Sequence, residues 1–199
     1  MFEAHALKAA TVLEAGGVVL APTDTVYGLM ASPGHAAAQA KIYRLKRRPT
    51  NMNLQLLCPD NFDLKAIGAV ISLVAAELFQ NEHLRPKITF ILPLDPLTKP
   101  DWLAHREEVG LRVPAASTLQ AMLEKTGPVF ATSANAHGKK PGKSIADILP
   151  QLDGSPDYIW DAGELSDEAS SVINFNKDPP LELRRGAAGD LSRFGVDHG

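Results

Sequence analysis

A single cysteine, Cys58, stands in 199 residues, so no disulfide can form within the chain. That fits a reducing, cytoplasmic setting. Cys58 follows Leu54-Gln55-Leu56-Leu57, where a small buried hydrophobe is expected and a reactive thiol is not. The six histidines are scattered, with no pair at helical spacing and no cysteine beside them, which argues against a zinc site built by the protein. No serine sits in a nucleophile elbow. The opening residues Met1-Phe2-Glu3-Ala4-His5 hold no basic run leading into an apolar stretch, so no secretory signal is expected. Polar residues break every apolar run well short of the ~20 residues needed to span a bilayer, and no membrane partner is expected. There is no internal repeat and no low-complexity tract. The formal net charge of -3 makes the whole molecule a poor polyanion binder, so any nucleic-acid contact needs a local basic patch.

What is present is ordinary for a soluble globular chain: 45% hydrophobic and 22% charged residues. The length fits one domain over residues 1–199 with a sizeable core. Apolar side chains recur at helical spacing over residues 4–15, and Gly16-Gly17 stops them. Val18-Val19-Leu20 reads as a short buried strand ended by Pro22. A helix is expected over residues 35–46, a strand over 54–57 and a helix over 67–79. Strands follow over 88–92 and 109–113, then a helix over 118–125 and a strand over 129–131. Ser144 is a plausible N-cap for residues 145–149. Short strands are expected at 158–160, 171–175 and 181–183. Strands alternating with helices indicate an α/β domain. The irregular connections predict a mixed sheet and not a regular Rossmann order.

Polar segments follow the strands or close a helix, and in open α/β sheets ligands bind beyond strand ends. The first is Pro22-Thr23-Asp24-Thr25-Val26-Tyr27-Gly28-Leu29. Thr23 and Thr25 are two apart, so in extended chain their hydroxyls face the same way and suit a ligand with both ammonium and carboxylate. An ordinary turn fits the same residues. Lys46-Arg47-Arg48-Pro49-Thr50 offers cations for phosphate oxygens, or simply a solvated helix end. Thr132-Ser133-Ala134-Asn135 follows a buried strand, and the small Ala134 lets backbone amides approach a ligand. The tract Gly138-Lys139-Lys140-Pro141-Gly142-Lys143-Ser144 ends in Gly-Lys-Ser, but its spacing and Pro141 exclude a P-loop. Arg112 interrupts the apolar strand Val109-Gly110-Leu111-Arg112-Val113. It is either an edge residue facing solvent or a partner for a bound anion, and Arg184 carries the same two readings.

In this order these segments resemble the YrdC/TsaC family of threonylcarbamoyl-AMP synthases. The likeness runs over nearly the whole chain and includes Ser170-Ser171-Val172-Ile173 and Leu183-Arg184-Arg185-Gly186. Leu56-Leu57-Cys58-Pro59-Asp60 and Thr89-Phe90-Ile91-Leu92 look more like the paralogous YciO branch. The resemblance implies a single YrdC-like domain: a twisted mixed sheet flanked by helices around an open central cleft. It implies a nucleotidyltransferase that makes threonylcarbamoyl-AMP and pyrophosphate from L-threonine, bicarbonate and ATP with Mg²⁺. That product feeds threonylcarbamoyladenosine in tRNA, so tRNA-modification proteins that accept the adenylate are implied partners. On this basis Thr23, Arg112, Ser133 and Ser170 contact threonine. Lys46, Arg48, Thr50, Asn135, Ser144 and Arg184 contact ATP, with Lys46 and Arg48 stabilising charge at the phosphates. Two alternatives stay open. One is a non-catalytic module binding tRNA or double-stranded RNA through Lys46, Arg47, Arg48, Lys139, Lys140 and Lys143. The other is a YciO-like paralogue with another substrate.

Overall fold

The computed structural model describes residues 2–165 and 168–198. Helix α1 (Phe2–Glu14) leads into strands β1 (Val19–Ala21) and β2 (Gly28–Ala31), then α2 (Ala36–Lys46) and β3 (Gln55–Leu57). Helix α3 (Leu73–Gln80), β4 (Ile88–Pro93), β5 (Glu108–Arg112), α4 (Ser117–Thr126) and β6 (Val129–Ser133) follow. The chain continues through α5 (Ile145–Ile148), β7 (Tyr158–Ile159), β8 (Ser171–Asn174), β9 (Leu181–Arg184) and β10 (Asp197–His198). The expected α/β class with a mixed sheet holds. Among the described residues no helix is long and apolar enough to cross a membrane. The contacts gather into two compact units, each assembled from two stretches of chain: Met1–Asp60 with Pro114–Asp167, and Asn61–Val113 with Glu168–Gly199.

In the first unit the strand order is β7-β1-β2-β6-β3. β1 runs parallel to β7 and antiparallel to β2, and β6 is antiparallel to both β2 and β3. Ala6, Ala9, Ala10 and Leu13 of α1 follow the i, i+3, i+4, i+7 rule and are buried. They pack with Leu119, Met122 and Leu123 of α4 against Val19, Met30, Val129 and Ala131 of the sheet. β1 stops at Ala21 because Pro22 has no N–H for the ladder. The polar loop that follows is shorter than the sequence implied: Gly28 and Leu29 already belong to β2, and Gly28 pairs with Ser133 of β6. Hairpin pairing, with Leu29 and Met30 fully buried, overrides the turn character of the segment.

In the second unit the order is β10-β9-β8-β4-β5. β4 is parallel to β8 and antiparallel to β5, while β9 is antiparallel to β8 and parallel to β10. Phe90 stacks on Phe175 and meets Phe79 edge-on, both at 5.4 Å between ring centres. The single helix expected over 67–79 is not formed. A 3-10 turn (Leu64–Ile67) ends at Gly68, whose φ of 69° suits glycine, and α3 starts only after Ser72 caps it on Ala75 N–H at 3.3 Å. Between them Ala69 bridges to Leu94, so backbone pairing claims the segment that apolar spacing had assigned to helix.

The last strand, β10, went unseen in the sequence. His198 Nδ1 lies 2.7 Å from the buried carboxylate of Glu182, and Nε2 lies 3.2 Å from Asp190. The hydrogen bonds to these two acids raise the imidazole above its ordinary value, and bonds from Ser192 and His198 hold Asp190 at about 2. A raised histidine stabilises the fold below its unfolded value and stops doing so as pH climbs through the folded one. Amide-exchange protection at residues 197–198 is therefore expected to be full at pH 5–6 and to fall above neutrality. His198→Gln abolishes that pH dependence.

Candidate functional site

In the first unit the chain brings Thr23, Lys46, Ser133 and Asn135 to one end of the β1-β2-β6 ladder. Thr23 and Thr25 hydroxyls lie 2.9 Å apart, as their spacing predicted. The turn is real as well: Thr23 Oγ1 accepts from Thr25 and Val26 N–H at 3.1 and 3.2 Å and donates to Val26 O at 2.7 Å. Tyr27 O accepts from Ala134 N–H at 2.7 Å, tying this loop to the turn after β6. The Tyr27 hydroxyl accepts from Ala162 N–H at 2.9 Å and donates to Gly163 O at 2.7 Å.

Lys46 closes α2 and is 1% exposed. Its amine donates to the carbonyl oxygens of Ser133 and of Asn135, the second at 2.6 Å, with Asn135 Oδ1 at 3.5 Å. Burial, with Arg48 adding in the same direction, brings this amine down to about 7. The surrounding oxygens favour the ammonium and oppose that shift. Taking the amine away from them would leave buried acceptors unpaired, at ~1–3 kcal/mol each. Asn135 Nδ2 donates to the carbonyls of Ala136 and Lys139 at 2.9 and 2.7 Å, closing the turn on itself. Arg47 ends α2 with φ 50°, a left-handed conformation that costs a side-chain-bearing residue ~1 kcal/mol. That reversal lets Arg48 fold back onto Met52 O and Asn53 O at 3.3 and 3.1 Å. Thr50 is exposed beside it. Ser144 forms a capping box with Asp147, accepting from its N–H at 3.2 Å and donating to its carboxylate at 2.8 Å. Arg47, Lys139 and Lys140 line a depression of ≈ 490 Å³ with Ala136, Pro150 and Gln151.

In the second unit Arg112 is 2% exposed, so the reading as a solvent-facing edge residue falls. Its guanidinium donates to Pro86 O at 3.1 Å. Arg184 donates from two nitrogens to Ser170 O at 3.0 and 2.7 Å and reaches Ser170 Oγ at 3.3 Å. Desolvation and the nearby charge of Arg112 both lower Arg184 from its ordinary value. Ser170 Oγ lies 2.9 Å from Thr89 Oγ1. Thr89 was missed in the sequence; a hydroxyl on an otherwise apolar strand was the available signal. Gly186 explains the end of the Leu-Arg-Arg-Gly segment. A Cβ there would fall 2.2 Å from Ala169 O and 2.7 Å from Ser170 C, and Gly186 N–H donates to Ser171 Oγ at 3.0 Å. Each unit thus gathers its own share of the predicted residues: Thr23, Lys46, Ser133 and Asn135 in one, Arg112, Ser170 and Arg184 in the other.

Residues 11–186 match the Sua5/YciO/YrdC family model, whose description reads "Telomere recombination". The chain belongs to this family. It is 30% identical over 190 residues to the uncharacterized protein YciO of Escherichia coli K12, covering 94% of this chain and 91% of YciO. It is 28% identical over 172 residues to a putative threonylcarbamoyl-AMP synthase of Methanocaldococcus jannaschii, covering 86% and 80% of the two chains. Among solved structures it is similar to P. abyssi Sua5 complexed with L-threonine, with TM-score 0.80 and 28% identity over 92% of this chain. The chain spans 54% of that Sua5's length. The crystal structure of E. coli YciO also gives TM-score 0.80, at 27% identity, covering 96% of this chain and 93% of YciO. In this Sua5/YciO/YrdC chain two measurable consequences follow from the contacts above.

Gly186→Ala forces backbone against backbone and is expected to cost about 1–3 kcal/mol in denaturant unfolding. For Lys46 the folded chain releases its proton near 7 while the unfolded chain keeps it to the ordinary lysine range, so stability rises with pH above 7. Unfolding of wild type and Lys46→Met, compared between pH 7 and 8.5, should diverge by at most ~1.4 kcal/mol per pH unit. Cys58, pushed to about 12 by burial, is common to both proteins and cancels.

Proposed function

We propose that this protein is an L-threonylcarbamoyladenylate synthase, a nucleotidyltransferase that joins L-threonine, bicarbonate and ATP. The observation that carries the reading is the buried Arg112 beside Arg184, with the Ser170 and Thr89 hydroxyls. Two neighbouring guanidiniums repel each other, and an anion between or beside them relieves that repulsion. Likeness to a putative threonylcarbamoyl-AMP synthase and to a Sua5 complexed with L-threonine supports the substrate.

In this chemistry the neutral threonine amine attacks bicarbonate and water leaves. A carbamate oxygen then attacks the α-phosphorus, and the bond to the bridging oxygen breaks to release pyrophosphate. Negative charge builds on phosphate oxygens, so fixed cations and positioning supply most of the acceleration. In this reading, within the second unit, Ser170 and Arg112 take the amino acid and Arg184 takes the nucleotide. Among the described residues no group of three His, Cys, Asp or Glu side chains offers a metal cage. Mg²⁺ would arrive with the phosphate oxygens of ATP and would offset the charge that builds on them. The product suits transfer to tRNA by a partner protein in the cytoplasm.

Pyrophosphate release that needs L-threonine, bicarbonate and ATP together is the expected result, and release indifferent to threonine defeats the assignment. Arg112→Ala removes the cation facing the amino acid, and kcat/KM for threonine is expected to fall at least ~100-fold. The likeness to YciO favours one second reading, the same chemistry on another amine. A panel of amino acids tested for thermal stabilisation with ATP separates the two.

A further inference from the structure

In the second unit, β4 lies between β5 and β8 and is paired with both. One of its faces carries Ile88, Phe90 and Leu92, all fully buried, and Phe90 makes the stack on Phe175. Thr89 points to the opposite face and is 3% exposed. A strand paired on both sides and buried ordinarily carries Val or Ile at such a place. A buried hydroxyl is unfavourable unless it is bonded, and Thr89 Oγ1 meets Ser170 Oγ at 2.9 Å. The approach to β4 also holds Arg112, whose guanidinium donates to Pro86 O at 3.1 Å. Phe90 pairs with Leu111, so Thr89 and Arg112 come to the same end of the β4-β5 ladder and to the same face.

A serine hydroxyl has two acceptor sites and one proton. Arg184 already donates to Ser170 Oγ at 3.3 Å, and a guanidinium accepts nothing in return. If Ser170 gave its proton to Thr89, it would have none left for a carboxylate, which only accepts. If Thr89 gives its proton to Ser170, both acceptor sites of the serine are filled and its own proton stays available. Building on the synthase reading above, we propose that Thr89 is a positioning residue for the amino acid: it donates to Ser170 Oγ and so turns the serine proton toward the substrate carboxylate. Branching at Cβ restricts rotation of the Thr89 side chain, which keeps the donor aimed at the serine. Thr89 acts on the substrate only through Ser170.

Titration calorimetry with L-threonine, in the absence of ATP, tests this on the full chain. Thr89→Val keeps the shape and removes the hydroxyl, and affinity for L-threonine should fall at least ~5-fold. Thr89→Ser keeps a hydroxyl and should recover most of that loss. Affinity for ATP should stay within ~2-fold in both variants. Ser170→Ala should weaken L-threonine binding as well, and adding Thr89→Val to it should cost no more than ~2-fold further. Unchanged affinity in Thr89→Val overturns the proposal. So do additive losses in the double variant, equal losses for ATP and L-threonine, and a Thr89→Ser protein no better than Thr89→Val. If Thr89→Val does not fold, Thr89→Ala carries the same comparison. Wild type that binds no L-threonine takes down the synthase reading and this proposal together. Wild type that binds it, with Thr89→Val binding equally well, takes down this proposal alone.

Discussion

An amine that water cannot reach must find its acceptors in the protein, and Lys46 finds them in backbone carbonyls. Much of the first unit follows from that requirement. Satisfying the amine holds the end of α2 to the turn after β6. Residues 133–135 then follow Gly28 and Tyr27 through β2-β6 pairing and the bond from Ala134 N–H, so the Thr23 loop is fixed to the same frame. The left-handed step at Arg47 is the cost of leaving the helix sharply enough for Arg48 to double back. The cation is thus part of the scaffold.

The second unit solves a similar problem with guanidinium groups. Arg184 is gathered onto Ser170 and Arg112 onto Pro86, so neither relies on water alone. Close contact between Gly186 and residues 169–170 sets the distance at which this happens. In both units the polar side chains already hold protein partners. Ligand binding is then an exchange of one set of hydrogen bonds for another, whose net value per bond is small. Affinity has to come from charge and from groups already in place, more than from new bonds.

The sequence showed which elements form better than it showed how the chain turns between them. Periodicity and punctuation located most strands and helices, because Pro22, Gly16-Gly17 and the Ser144 cap act locally. The 67–79 segment was misread because the Ala69–Leu94 bridge is a long-range contact, and apolar spacing does not report one. β10 escaped because a two-residue strand held by His198 on Glu182 and Asp190 leaves no periodic trace. The hydroxyl and cationic segments were legible as groups. What residue type alone could not tell was that Arg112 is buried, or that Thr23 and Ser144 spend their hydroxyls on their own turn and cap. Those facts depend on neighbours distant along the chain.

The interleaving of the two units bears on how the protein is born. The β1-β2 hairpin emerges from the ribosome early, yet the free edge of β2 waits for β6, about a hundred residues later. In the second unit, β4 likewise waits for β8. Neither unit can close until the second of its two stretches has been made, so the nascent chain carries unpaired strand edges until then. A ribosome stalled before residue 129 would release a chain prone to aggregate and dependent on chaperones, whereas one stalled after β8 would release a nearly complete fold.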